Sequence, residues 1–191
     1  MSTVARFSLA EYDRMIEEAV FDPHTHARLE LIRGEIREMT PAGPAHEDVL
    51  DRLSQWSYAH RPRGVRIRVQ ESVGLPEAAS APEPDLTWVR QRVYSRARPT
   101  ASDVLLLVEV AESSLAYDRT EKAEIYAQAG IRDYWVVNVA DRAIEIRREP
   151  AEGRYRSITI SSGEDEVRPL AFPEIALRPC RLWGDLGEAE G

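Results

Sequence analysis

The sequence predicts an α/β domain, with a mixed central sheet flanked by helices and a β-hairpin near the N-terminus. Three observations carry this. Val104 to Val110 is a continuous apolar run broken only by Glu109, and Tyr134-Trp135-Val136-Val137 is a second. Short runs this rich in Val, Leu and aromatic residues read as strands buried on both faces. A helical pattern over about 119–129 lies between them, and strand, helix, strand in that order predicts a right-handed parallel crossover. Finally, Leu29, Leu31, Ile36 and Met39 flank Arg33-Gly34, a dipeptide suited to a tight hairpin turn.

Taken in order, Ser8-Leu9-Ala10-Glu11 has the capping-box pattern and opens a helix to about Ala19. Residues 22–25 read as a loop. Glu30 lies in the first hairpin strand. A breaker cluster at 40–44 precedes a helix over about 45–60, in which Val49, Leu50, Leu53 and Trp56 recur at helical spacing and face the core. His46 sits one turn earlier, at the inward end of that face, where a histidine is more often structural than a ligand. Val65, Ile67 and Val69 alternate with Arg66, Arg68 and Gln70, a strand with one wet face, continued here over 65–74. After a loop rich in Ala, Pro and Glu, Pro84 leads into a strand over 85–90 with Asp85 at its first position; turn chemistry is the plainer role for an Asp there. Asp118-Arg119-Thr120-Glu121 caps the crossover helix and Gly130 stops it. Its packed stripe is Ala123, Tyr126, Ala127 and Gly130, with Lys122 at the edge, placed to reach along the sheet face. The plainer reading leaves Lys122 at the surface, paired with Asp118. Ile144, Ile146, Tyr155, Ile158 and Ile160 read as a hairpin turning at 149–153, and 167–177 as short extended structure. A single domain over 1–183 is expected, followed by an acidic, glycine-bearing tail at 184–191 expected to be disordered.

The 191 residues suffice for one sizeable core, and 43% hydrophobic with 30% charged residues is ordinary for a soluble globular chain. The lone cysteine, Cys180, excludes an internal disulfide framework and a cysteine-based zinc site. No apolar run approaches the roughly 20 residues of a membrane span, and the N-terminus lacks an apolar signal core, so a cytoplasmic location with no membrane partner is expected. The net charge of −8 weighs against a nucleic-acid partner, because phosphate binding leaves a basic footprint. Two local clusters stand on the other side: Arg61, Arg63, Arg66 and Arg68, and Arg90, Arg92, Arg96 and Arg98. Composition alone favours reading both as solvated faces.

Glu109 is the residue that asks for an explanation. Burying a carboxylate costs several kcal/mol, order of magnitude, unless it is paired or coordinates a metal. The strand alone leaves open whether it is paired or coordinates a metal, or is a strand-end carboxylate held by backbone N–H groups or an arginine. Asp85 lies 24 residues before it and Lys122 13 after. Two carboxylates on adjacent strand ends can share one hard divalent cation. A lysine beside them can stabilise charge on a phosphate or orient a water. Such a set suits metal-assisted phosphodiester hydrolysis.

This order resembles the PD-(D/E)XK, or restriction-endonuclease-like, nuclease superfamily and, more narrowly, the Uma-type restriction endonuclease family. The resemblance runs from about Leu29 to Val139. It is carried by Glu30-Leu31-Ile32-Arg33-Gly34-Glu35, Pro41-Ala42-Gly43 with His46, and Pro82-Glu83-Pro84-Asp85-Leu86. It continues through Val108-Glu109-Val110, Tyr117-Asp118-Arg119 with Lys122, Tyr126-Ala127-Gln128-Ala129-Gly130-Ile131 and Tyr134-Trp135-Val136-Val137. It implies a Mg²⁺-dependent DNA endonuclease, with Mn²⁺ able to substitute. Asp85 and Glu109 become metal ligands, the Val110 carbonyl a third, and Glu30 a further one, directly or through water. Lys122 becomes catalytic, His46 orients a water or contacts phosphate, and the arginine clusters, Arg66 and Arg68 among them, track the backbone. One position departs from the superfamily pattern: Ala111 stands where its lysine follows the acidic residue, and in the Uma-type pattern the lysine moves to the next helix, here Lys122. A homodimer is implied by analogy alone. The alternative is a catalytically inactive nucleic-acid- or protein-binding module on the same fold.

Overall fold

In the computed structural model, which describes residues 4–21 and 28–184, the chain opens with α1 (Leu9–Glu17). The Ser8 hydroxyl accepts from the Glu11 N–H and the Glu11 carboxylate accepts from the Ser8 N–H at 2.8 Å, closing the capping box the sequence announced. Strands β1 (Leu29–Ile32) and β2 (Glu35–Glu38) form the expected hairpin. Both turn residues have positive φ, Arg33 at 51° and Gly34 at 81°, the conformation that matches strand twist in a two-residue loop. A Cβ on Gly34 would lie 2.9 Å from the Arg6 Cβ, so glycine is required there on two counts. Helix α2 (Pro44–Ala59) starts on a proline, whose missing N–H costs nothing at that position, and buries Val49, Leu50 and Leu53.

Strand β3 (Val65–Val69) is shorter than the expected 65–74. Gln70 adopts a positive φ of 50° and turns the chain away. Then follow β4 (Leu86–Arg90) and β5 (Val104–Ala111). The crossover helix starts earlier than the sequence suggested. It begins as α3 (Leu115–Tyr117), passes through a π-helical turn at Asp118–Lys122, and continues as α4 (Ala123–Gln128). Asp118 is therefore inside the helical stretch, not its cap. Gly130 ends it at a φ of 78° but is exposed, and Ile125 joins the packed stripe in its place. Strand β6 (Asp133–Asn138) precedes the hairpin of β7 (Ala143–Ala151) and β8 (Arg154–Ser162). Its turn is the tight pair Glu152-Gly153, with φ of 53° and 73°, narrower than the expected 149–153.

The six strands lie in the order β3-β4-β5-β6-β7-β8. Every pair is antiparallel except β5 with β6, which are parallel as the crossover required. One sheet face packs on α2 and the 167–183 segment through Trp88, Trp135, Leu106 and Val108. The other packs on α4 through Tyr126, Tyr134, Leu107 and Val136. An isolated bridge between Val167 and Leu177 accounts for the extended structure expected there. The β1–β2 hairpin forms a separate sheet, fastened by the bonds Ala81 N–H to Leu31 O at 2.7 Å and Gly34 N–H to Ala79 O at 2.8 Å. Among the described residues, no helix is long and apolar enough to cross a membrane. The loop expected at 22–25 and the tail expected from 184 onward lie outside the described residues, Gly184 excepted.

Candidate active site

Strand register brings the first two acids together. Leu86 pairs with Val108 across antiparallel β4 and β5, so the next residues outward are Asp85 and Glu109. The Asp85 N–H donates to Glu109 Oε2 at 3.3 Å, and the Val110 N–H donates to Asp85 Oδ2 at 2.8 Å. From the π-helical turn on the neighbouring layer, Lys122 Nζ donates to Glu109 Oε1 at 3.0 Å. Lys122 is only 5% exposed and Glu109 2%, which settles against the surface pairing of Lys122 with Asp118. Glu30, on β1, brings Oε2 to 3.8 Å from the same Nζ. His46, from the first turn of α2, places Nε2 3.0 Å from Asp85 Oδ1. The structure thus brings Asp85, Glu109, Lys122, His46 and Glu30 to one place, with Val110 beside them.

They line a cleft of about 480 Å³ whose walls also carry Arg28, Arg37, Tyr117 and Asp118. Six carboxylates face three permanent cations there, so the cleft is acidic. Its charges are unequal in a way the burial explains. Burial pushes the Glu109 carboxyl up to about 8, against the pull of Lys122. Burial acts the same way on Asp85, but the His46 hydrogen bond and charge, with Val110 and Lys122, hold it below the usual carboxylate range. The hydrogen bond to Asp85 raises His46 in return. Burial alone would lower Lys122; Glu109, Glu30, Asp118 and Asp85 outweigh it and keep the ammonium charged. Two neighbouring carboxylates with protonation pushed in opposite directions is a pattern that marks reactive sites.

The residues fit a hard divalent cation by their chemistry. The donor atoms are oxygens, the cleft has excess negative charge, and Glu30 Oε2 is buried with no hydrogen-bond partner, a costly state that a cation would relieve. In the present arrangement these side chains bond to one another, and among the described residues no three His, Cys, Asp or Glu converge on a single point as a bound ion needs.

Four contributors were not foreseen. Tyr126 donates its hydroxyl to Glu109 Oε1 at 2.6 Å. Its position four residues after Lys122, on the same helix face, was the available signal. Asp118, four before Lys122, is buried and accepts from Ser114 at 2.5 Å. Arg28 and Arg37 line the cleft, Arg37 gripping Glu121 through both nitrogens at 2.7 and 3.1 Å. The arginines expected to follow a nucleic-acid backbone lie elsewhere. Arg66 is exposed on β3, Arg68 is paired with Glu71 at 2.7 Å with its guanidinium 5.7 Å from the Tyr94 ring, and neither lines the cleft.

Sheet order, crossover and separate hairpin together define a mixed α/β domain, a six-stranded mixed sheet with a two-stranded hairpin beside it. The chain is similar to the crystal structure of a "putative nuclease belonging to DUF820" from Anabaena variabilis, with a TM-score of 0.70 and 15% identity over 92% of this chain and 97% of that one. The chain belongs to the Uma2 family, described as "Putative restriction endonuclease", whose model matches residues 9–180. The search of curated proteins gave no match.

Proposed function

We propose that this chain is a divalent-metal-dependent endonuclease that hydrolyses phosphodiester bonds in DNA, using Mg²⁺, with Mn²⁺ able to substitute. The observation that carries the reading is the buried, hydrogen-bonded pair of Glu109 and Lys122 standing against Asp85 at the end of two neighbouring strands. Asp85 and Glu109 would hold the cation, with the Val110 carbonyl and Glu30 as further oxygen donors. When bound, the ion supplies an activated water and neutralises charge on the phosphate. Lys122 holds a positive charge beside the two acids, where it orients the attacking water or the scissile phosphate. His46 keeps Asp85 ionised and is placed to contact a water or a phosphate oxygen. Arg28 and Arg37, rather than Arg66 and Arg68, are the arginines at the cleft wall; Arg28 is paired with Glu83 and Arg37 with Glu35 and Glu121, so meeting a DNA backbone requires them to exchange those carboxylates for phosphates. Family membership supports a nucleic-acid substrate. With this reading go a cytoplasmic location and, by analogy with restriction-like nucleases that cut two strands, a symmetric dimer, which sedimentation would test.

A competing reading, an inactive binding module, has one observation in its favour: all four oxygens of Asp85 and Glu109 already accept hydrogen bonds from the protein. Incubation of supercoiled plasmid with the protein and Mg²⁺ or Mn²⁺ separates the two. The nuclease reading expects nicked and linear products that vanish with chelator and in Glu109→Ala. An intact plasmid, or equal cutting by Glu109→Ala, sinks it.

A further inference from the structure

Glu109 is held from behind by a residue to which no role has been given. Tyr126 donates its hydroxyl to Glu109 Oε1 at 2.6 Å, the shortest of the bonds Glu109 accepts. The ring has no freedom to leave. Tyr126 is fully buried, and Tyr134 packs edge-on against it with centroids 5.0 Å apart. Tyr134 is fixed in turn by its hydroxyl, which donates to the Asp118 carbonyl at 2.9 Å.

The two oxygens of Glu109 are therefore treated differently. Oε1 takes two strong donors, Lys122 and Tyr126. Oε2 takes one weak main-chain donor, the Asp85 N–H at 3.3 Å. Lys122 also faces Glu30, so of the two donors on Oε1 Tyr126 is the one not shared with a second carboxylate. We infer that Tyr126 is a positioning residue: its hydroxyl pins Oε1 and so turns Oε2 toward Asp85 and the cleft, as the oxygen offered to a divalent cation. This rests on the metal-dependent reading above. Partners that orient a ligand carboxylate act through the ligand, and their loss typically costs about 10–100-fold in metal affinity.

The test is Mn²⁺ titration by calorimetry on the full chain, comparing the unsubstituted protein with Tyr126→Phe and Tyr155→Phe. Tyr155 is the matched control. It is a buried tyrosine of the same apolar cluster whose hydroxyl donates to the Ile131 carbonyl at 2.9 Å. Tyr126→Phe is expected to raise the Mn²⁺ dissociation constant about 10–100-fold, and Tyr155→Phe to leave it nearly unchanged, with melting temperatures recorded for both. In plasmid cutting, Tyr126→Phe should shift the Mn²⁺ concentration for half-maximal rate more than it lowers the rate at saturation. Equal weakening by the two variants, or native affinity in Tyr126→Phe, overturns the inference. Should Tyr126→Phe not fold, ultraviolet difference spectra decide. Saturating Mn²⁺ should still perturb tyrosine absorption in Tyr117→Phe, which removes the cleft tyrosine beside Glu30, and a flat tyrosine difference spectrum in that variant contradicts the role. Failure of the metal-dependent reading itself shows separately, as absent Mn²⁺ binding before any tyrosine is changed.

Discussion

Asp85 and Glu109 are locked to one another through the main chain, each carboxylate accepting from the other strand's backbone. Glu109 Oε2 takes the Asp85 N–H at 3.3 Å and Asp85 Oδ2 takes the Val110 N–H at 2.8 Å. Sheet register therefore sets the spacing of the two acids, and side-chain freedom contributes little. Asp85→Asn keeps shape and an acceptor for Val110 while removing the charge. It should lower plasmid cutting by on the order of 100-fold or more and shift urea unfolding by about 1 kcal/mol or less. A large loss of stability with cutting retained would reverse this assignment.

Lys122 and Glu109 form a pair with both members buried. Removing one partner of such a pair leaves the other uncompensated and costs about 3–5 kcal/mol. Lys122→Ala also opens a cavity, whereas Lys122→Met refills most of the volume. Urea denaturation should rank the unsubstituted chain above Lys122→Met, and Lys122→Met above Lys122→Ala. Both variants should lose cutting. Equal stability of the two would show that packing at this position is immaterial.

The pH dependence of the metal-free chain follows from Glu109. Burial raises its folded-state value to about 8, above the roughly 4.3 of an unfolded glutamate. Between these values the folded state binds the extra proton. The contribution is therefore complete below about pH 4.3 and falls as pH rises toward about 8, by at most about 1.4 kcal/mol per unit. Glu109→Gln cannot take part in this titration. Chelator-treated protein should lose stability relative to Glu109→Gln as pH rises from 5 to 8, read by urea unfolding at each pH. A difference that is flat or grows with pH contradicts the assignment.

His46 provides an independent reading of the same cluster. Its hydrogen bond to Asp85 raises its titration above the ordinary imidazole value. Stability from this contact is complete below about 6.5 and is lost as pH rises through the raised value. Nitrogen-15 spectra of the ring should place the His46 midpoint above 6.5, and Asp85→Asn should bring it down. An unchanged midpoint would mean that Asp85 is not its partner in solution.

How much of this was written in the sequence depended on the type of signal. The Arg33-Gly34 turn and the parallel pairing of β5 with β6 were legible because local turn chemistry and uninterrupted apolar runs each allow few conformations. Asp85, Glu109 and Lys122 stood out because a carboxylate inside an apolar strand demands a partner and because their order resembles a known family; the structure brings the three side chains together. The start of the crossover helix was missed because Asp118 has the composition of a cap, and only the tertiary fold shows it turned inward through a π-helical turn. Arg66 and Arg68 were picked from their clustering along the chain. Clustering does not report direction, and Arg68 is spent on Glu71. Arg28 and Arg37 stood apart in the sequence and reach the cleft only because the hairpin folds over it. Tyr126 looked like core, which it is; its hydroxyl also donates to Glu109.

The central claim is that Asp85 and Glu109 share one divalent cation. Anomalous diffraction from crystals grown or soaked with Mn²⁺ tests it most directly. The account predicts a single strong peak in the cleft, about 2.1–2.2 Å from one oxygen of each carboxylate, with Lys122 still beside Glu109. A cleft without a peak at saturating Mn²⁺, or a peak bound by other residues, would contradict it.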